Sequence, residues 1–231
     1  MYASSHFSRR PRHENGGFDQ PHPQTLAENQ RLADPILEYT LANLPKEISE
    51  VIFIIGYQGH KIKDHFGESR GGKKLRYVWQ RRLDGTGGAL WQIKNLLRDK
   101  FLVLNGDDLY RHDDLKKIIR HKLAVLAKEV TTPSEFGVIE IDEDGHLVQI
   151  VEKPSEPKSN LVNVGVYVLN KKFFDYPLVA ISETEFGLPQ TMAQMVGQHK
   201  IKVERAAFWH PNTKAGDLIK AEEIIEEYFK T

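Results

Sequence analysis

The sequence predicts an α/β fold, a Rossmann-like three-layer sandwich around a mixed, largely parallel sheet, and three observations carry that prediction. Apolar, β-branched runs such as Val51 to Ile55 and Phe101 to Leu104 are continuous rather than alternating, as strands covered on both faces are. Stretches with helical spacing separate these runs at short intervals, which is the order that parallel strands require. The second half adds a hairpin signal, Val138 to Ile141 and Leu147 to Val151 around the turn Asp144-Gly145, so antiparallel pairs join the sheet.

Taken in order, Pro35 to Leu44 opens with proline at a first helical position and has apolar residues at Ile36, Leu37, Tyr39 and Leu41, the pattern of a helix. Val51 to Ile55 is a strand that ends at Gly56. Lys61 to Phe66 is a short helix, Leu75 to Trp79 a strand, Gly88 to Leu97 a helix and Phe101 to Leu104 a buried strand. Beyond the hairpin, Asn163 to Leu169 and Ile201 to Glu204 read as strands, and Gln190 to Val196 and Asp217 to Tyr228 as helices. Residues 1–34 differ. They show no sustained hydrophobic period and are rich in Arg, His, Gln, Asn, Gly and Pro, so as written they read as a disordered tail. Glu14, Asp19, Glu28 and Asp34 argue against an organelle-targeting peptide, which avoids acids.

Composition narrows the chemistry. With 231 residues and a hydrophobic fraction of 40%, the chain is long enough for one large domain with a proper core. Its 32 basic and 32 acidic residues cancel, so no global field draws it to nucleic acid or an anionic membrane, and phosphate binding must come from local geometry. The absence of cysteine excludes disulfides, thiol catalysis and thiolate metal sites. No apolar run approaches the roughly 20 residues of a membrane span, and the cytoplasm is the default compartment. The ten histidines form no metal-ligand pattern.

Four constellations point to chemistry at one sheet edge. Gln80 precedes the turn G-T-G-G-A-L, in which Gly85, Gly87 and Gly88 let backbone amides approach a ligand closely while the glutamine amide offers both donors and an acceptor. The strand Phe101 to Leu104 runs into Asn105-Gly106-Asp107-Asp108, which places carboxylates just past a strand end. Glu152 and Lys153 alternate sides of a strand that Pro154 stops. Gly137 in F-G-V and Asn163 with Gly165 in N-V-G-V-Y complete the set. Each has a bland alternative: a helix-start turn with a solvated glutamine, an Asx-turn at Asp107, a solvated Glu-Lys pair, and glycines required only by packing.

In their order and spacing, from roughly Pro35 to Glu223, these segments resemble the sugar nucleotidyltransferases, also called nucleoside-diphosphate-sugar pyrophosphorylases. The resemblance implies a nucleotide-diphospho-sugar transferase fold. It also implies a reaction that joins a sugar 1-phosphate to a nucleoside triphosphate with release of pyrophosphate. It assigns Gln80, Gly85, Thr86 and Gly87 to the nucleotide and Gly137, Glu152, Asn163 and Gly165 to the sugar. Lys153 falls to the sugar phosphate, and Asp107 to a catalytic Mg²⁺ with Asp108 as a reserve ligand. Lys153 and Asp107 are the implied catalytic residues. Thymidylyl or uridylyl transfer to a hexose 1-phosphate fits Gln80 with G-T-G-G, a guanylyl enzyme acting on mannose 1-phosphate stays open, and so does homo-oligomerisation.

The chain departs from that pattern at two places. Near the C-terminus the family has W-x-D-[IV]-G-T-P-x-D-L, whereas Trp209 to Leu218 reads W-H-P-N-T-K-A-G-D-L, so Pro211 stands where a second metal aspartate is expected. At the N-terminus the strand and phosphate loop L-A-A-G-x-G-T-R and the following P-K-P-L-L-P are missing as written. Back-translating residues 2–34 and reading one base later, with synonymous codons chosen to favour the match, permits M-Q-A-V-I-L-A-A-G-R-G-T-R-M over Tyr2 to Asn15. The same frame permits T-N-x-T-P-K-P-L-L-K-I-N-G over Asp19 to Leu32. The His13-Glu14 overlap admits only Thr or Met, and Glu14-Asn15 only Arg or Lys, so residues 1–34 read as an out-of-frame translation with the frame restored near Leu32 to Pro35. The chain as written is therefore expected to lack its central first strand and main triphosphate clamp, to leave a strand edge unpaired, and to fold and turn over poorly. A catalytically inactive sugar-nucleotide-binding paralogue is the alternative. An NAD-dependent oxidoreductase would need a G-x-G-x-x-G after its first strand, and none is present.

Overall fold

The computed structural model describes residues 2–4, 35–212 and 215–230. In chain order these form β1 (Tyr2–Ser4), α1 (35–43), β2 (Glu50–Ile55), α2 (Gly59–Phe66), β3 (Ser69–Arg70), β4 (Lys73–Trp79), α3 (Gly85–Gln92), β5 (Lys100–Asn105) and β6 (Leu109–Tyr110). There follow α4 (His112–Ile118), β7 (Ala124–Glu129), β8 (Gly137–Ile141), β9 (Leu147–Glu152), β10 (Leu161–Asn170), β11 (Val179–Ala180), β12 (Phe186–Gly187), α5 (Leu188–Ala193), β13 (Lys202–Arg205), β14 (Trp209–His210) and α6 (Ala215–Lys230). The main sheet runs β13-β7-β10-β5-β1-β2-β4-β3, with the hairpin β8–β9 attached to β10. β5, β1, β2 and β4 are mutually parallel, whereas β10 enters antiparallel between β5 and β7, so the expected mixed sheet is present.

Alternate residues of the central strands face two separate cores, which makes the three layers. Val51, Phe53 and Ile55 of β2 pack with Leu37 and Leu41 of α1, Ile62 and Phe66 of α2 and Leu115 of α4. Ile52 and Ile54 point the other way, to Leu90 of α3 and Met192 of α5. This period of two, buried on both faces, is why the strands read as continuous apolar runs. α6 closes the first face through Ala221 and Ile225, which meet Ile36 and Tyr39 of α1. Lys73 is buried at the start of β4, and its ammonium donates to the carbonyls of Pro45 and Ile48 at 3.1 and 3.0 Å, so it fastens the turn before β2.

The expectation of a missing first strand is corrected for residues 2–4. Tyr2, Ala3 and Ser4 lie between β2 and β5, paired parallel with Ile52, Phe53 and Ile54 on one side and Val103, Leu104 and Asn105 on the other. Backbone pairing needs no particular side chains, so three residues of any such segment can satisfy the two edges over that length. A groove of about 450 Å³ opens at the amino ends of β2 and β5, lined by Glu50, Ile52, Leu97, Lys100 and Phe101 among others. The rest of residues 1–34, including the expected disordered tail, lies outside the described residues.

Tyr77 on β4 stacks on Phe53 at 5.6 Å, and its hydroxyl donates to the Gly67 carbonyl at 2.6 Å. Burial pushes this phenol up from 10.0 to about 12. The folded state then holds a proton that the unfolded chain releases near pH 10. The contribution to stability is complete below pH 10 and is lost as the pH rises through about 12. Denaturation midpoints between pH 9 and about 12 are expected to fall with a steeper slope in the wild type than in Tyr77→Phe.

Candidate active site

Strands that run parallel deliver their carboxyl ends to one edge, and Gln80 and Asp107 lie just past two of those ends, β4 and β5. β5 ends at Asn105, so Asp107 and Asp108 stand at its exit. β10 begins beside it, because Val166 pairs with Leu104. Gly165 has φ +77°, and a Cβ there would collide with the Asn105 side chain, so glycine is required for the two strand ends to close up. Asn163 donates from Nδ2 to the Tyr167 hydroxyl at 2.7 Å and accepts at Oδ1 from the Gly165 amide at 3.1 Å, which fixes its rotamer at the rim. On the hairpin Gly137 pairs with Glu152 in register. A Cβ on Gly137 would lie 3.0 Å from Glu152 Oε2 and 3.8 Å from Asn163 Cβ. Gly137, Glu152, Asn163 and Gly165 are thus brought together, next to the end of β5.

Lys153 follows at the end of β9, exposed, with its amide donating to the Phe136 carbonyl at 2.9 Å. Its φ is +45°, and among the described residues only Gln58 shares a positive φ without being glycine. A lysine there is strained, at the strand end next to Glu152. Lys153→Gly is expected to raise stability by about 1 kcal/mol while removing the ammonium, a change read by urea denaturation.

The residues expected to meet the nucleotide form a second cluster at the exit of β4. In the sheet β4 is three strand spacings from β5, roughly 14 Å. Gln80 takes its amide hydrogen bond to the Ile55 carbonyl at 2.9 Å, and its Nε2 donates to Asp84 Oδ1 at 3.2 Å. Gly85 has φ +81°, and a Cβ there would lie 2.5 Å from the Phe186 carbonyl oxygen. At Gly87 the same oxygen would be at 3.1 Å. The Thr86 hydroxyl accepts from the Leu188 amide at 3.1 Å. β12 therefore lies against Gly85 and Gly87.

The C-terminal arm ties the two strand ends together. β14 pairs with β6, Trp209 opposite Tyr110, and the Trp209 ring meets the Phe136 ring edge-on at 5.3 Å. Asp108 is buried. Its Oδ2 accepts from Trp209 Nε1 at 3.2 Å, Tyr110 hydroxyl at 3.1 Å and Asn105 Nδ2 at 3.4 Å, and its Oδ1 from the Asn212 amide at 3.1 Å. Burial pushes the Asp108 carboxyl up, and those donors, the Asn212 amide foremost, pull it part of the way back. With its lone pairs so committed, Asp108 does not serve as the reserve metal ligand.

Asp107 is half-buried at the same turn, and its backbone carbonyl accepts from Asn212 Nδ2. The other end of that amide, Asn212 Oδ1, is buried without a hydrogen-bond partner. An orphaned oxygen at the turn that carries Asp107 fits a hard cation, which takes oxygen ligands and retains water. Asn212 escaped the sequence reading, which looked for an aspartate one position earlier at Pro211; the signal was an oxygen-bearing side chain next to the vacated position. A second acidic group, Asp142, Asp144 and His146, lies in the β8–β9 turn. It sits five residues along β8 from Gly137, roughly 16 Å away, with Asp142 Oδ1 already accepting from the His146 amide.

This order of elements is shared with known proteins. A family profile described as nucleotidyl transferase matches residues 19–226. The chain is 32% identical over 200 residues to the bifunctional protein GlmU of Methanocaldococcus jannaschii, a match covering 85% of the chain and 48% of that protein. It is 31% identical over 195 residues to a bifunctional sugar-1-phosphate nucleotidylyltransferase/acetyltransferase of Sulfurisphaera tokodaii, covering 81% of the chain and 47% of the relative. The chain thus spans about half the length of the curated relatives it matches. A crystal structure of UDP-glucose pyrophosphorylase complexed with UDP-glucose superposes with a TM-score of 0.71 at 20% identity, over 84% of this chain and 86% of that one, and shares the fold. With the motifs in family order, their residues gathered at one sheet edge and a match over most of its length, the chain belongs to the nucleotidyl transferase family.

Proposed function

We propose that this chain transfers a nucleotidyl group from a nucleoside triphosphate to a sugar 1-phosphate, giving a nucleotide sugar and pyrophosphate. The observation that supports it most is the gathering of Gly137, Glu152, Asn163 and Gly165 around the exit of β5, where Asp107 stands. A sugar ring lies against the backbone left bare at the two glycines, Glu152 accepts from its hydroxyls, and the Lys153 ammonium meets its phosphate. Gln80, Gly85, Thr86 and Gly87 hold the base at the exit of β4. The sugar phosphate oxygen attacks the α-phosphorus in line, a new P–O bond forming as the bond to pyrophosphate breaks. The protein's part is to hold both substrates in that line. Asp107 and Asn212 are the residues that would hold Mg²⁺, which when bound offsets phosphate charge.

The test is a panel of the nucleoside triphosphates against hexose 1-phosphates with pyrophosphate as the product measured, starting with dTTP and UTP. Lys153→Ala is expected to raise the sugar 1-phosphate KM about a hundredfold with a smaller change for the nucleotide. Equal effects on both substrates would remove Lys153 from the sugar phosphate. Pro211 favours a second reading, a paralogue that binds nucleotide sugars without turnover. It predicts saturable binding with no pyrophosphate from any pair.

Residues 1–34 belong to the same proposal. The out-of-frame origin is supported by the motif that the shifted frame permits, while the family match in the written frame opens at Asp19 and counts against it for residues 19–34. DNA sequence across codons 1–40 decides: codons that cannot encode the phosphate loop in the shifted frame end the idea. We place the enzyme in the cytoplasm. Among the described residues no helix is long and apolar enough to cross a membrane.

A further inference from the structure

Two adjacent aspartates leave β5, and the structure gives them different work. We infer that Asp108 is a positioning residue whose carboxylate clamps the arm 209–212 over the strand end, holding Asn212 in reach of a cation at Asp107. The inference rests on the proposed metal site and goes beyond it by naming what assembles that site.

The contacts of Asp108 divide between two parts of the chain. Asn105 and Tyr110 belong to its own β5–β6 turn, whereas Trp209 and the Asn212 amide come from the arm, more than 100 positions away. One buried carboxylate therefore joins the two segments that supply the proposed ligands. Other anchors of the arm are the Phe208 amide, which donates to Asp114 Oδ2 at 3.0 Å, and His210 Nε2, which meets the Asp217 carbonyl at 2.8 Å; neither reaches Asn212, whose side-chain Nδ2 also donates to the Asp107 carbonyl. Charge-assisted bonds of this kind are the stronger ones, and a buried donor stripped of its acceptor costs more than the bond itself contributes. Without Asp108 the indole and the Asn212 amide must turn to water, and the Asn212 side chain is left on its single hydrogen bond to the Asp107 carbonyl.

The experiment is a Mn²⁺ titration of the full chain, nucleotide-free, followed by the electron paramagnetic resonance of free Mn²⁺. Wild type is compared with Asp107→Asn, Asp108→Asn, Trp209→Phe and Lys73→Met. Trp209→Phe keeps the ring on Phe136 and deletes only the donor, so it tests the clamp if Asp108→Asn folds poorly. Lys73→Met loses a buried tether on the far side of the sheet and controls for plain loss of stability. We expect Asp107→Asn to abolish binding, Asp108→Asn and Trp209→Phe each to weaken it about tenfold, and Lys73→Met to leave it within twofold. Wild-type affinity in both clamp variants overturns the inference. So does complete loss in Asp108→Asn alone, which would make Asp108 a ligand. If wild type itself binds no Mn²⁺, the proposed metal site fails, and the clamp is read from hydrogen exchange at the Asn212 amide. That amide must be protected in wild type and exchange at least tenfold faster in both Asp108→Asn and Trp209→Phe; equal exchange overturns the inference.

Discussion

Asp107→Asn is expected to lower kcat/KM about a thousandfold, roughly 4 kcal/mol in the transition state, on whichever pair of substrates the panel selects. The loss should fall on turnover and on the cation dependence, while affinity for the free sugar 1-phosphate changes little, because the proposed sugar contacts, Glu152 and Lys153, come from the hairpin and not from β5. Asn212→Ala should cost about tenfold, since it removes a neutral oxygen where Asp107 contributes a charge. Measuring kcat against Mg²⁺ concentration separates the two: a lowered ceiling for Asp107→Asn, a shifted midpoint for Asn212→Ala. An Asp107→Asn enzyme with turnover within tenfold of the parent would remove Asp107 from the metal and the reaction together.

Gly85→Ala is expected to cost about 3–5 kcal/mol of stability. Two effects add there. The backbone sits at φ +81°, which costs an L-residue about 1–2 kcal/mol, and the new Cβ would stand 2.5 Å from the Phe186 carbonyl oxygen, which is backbone and cannot rotate away. Gly72→Ala separates the terms, since φ is +72° with nothing within 4 Å, and it should cost about 1–2 kcal/mol alone. Urea denaturation of the two variants gives the difference. Equal costs would mean that β12 yields to the methyl and is not a fixed wall.

These glycines also show where sequence reasoning reached and where it stopped. The continuous apolar strands β2 and β5 were legible because burial on both faces leaves a run with no polar interruptions. The stretch 112–129 was not assigned. β7 ends in Ala127, Lys128 and Glu129, and α4 is seven residues, too short to display a period. At Gly85 the sequence could say that a side chain was unwelcome but not which neighbour forbade it. Phe186 is a hundred positions away, and single-residue patterns carry no trace of such a contact. Lys153 was placed at the edge by its motif, yet its positive φ left no mark, since residues that favour that conformation are Gly and Asn, not Lys. The resemblance puts Asp107 first and Asp108 in reserve, but the different surroundings of the two could not be read from the chain alone. Those surroundings depend on which side Trp209 and Asn212 approach.

The seating of β12 against Gly85 and Gly87 bears on how such an enzyme could change its substrate. The loop proposed to meet the base and the segment 186–188 interlock through backbone, with Thr86 and Leu188 hydrogen-bonded across the seam. A graft that brought in a relative's G-T-G-G loop alone would set foreign geometry against a rigid strand, and the misfit would be felt by α5 and, through it, by β9. New base preferences are therefore most readily acquired by exchanging residues 80–88 and 179–192 as one cassette, and chimaeras that respect that seam should survive where single-loop transplants do not.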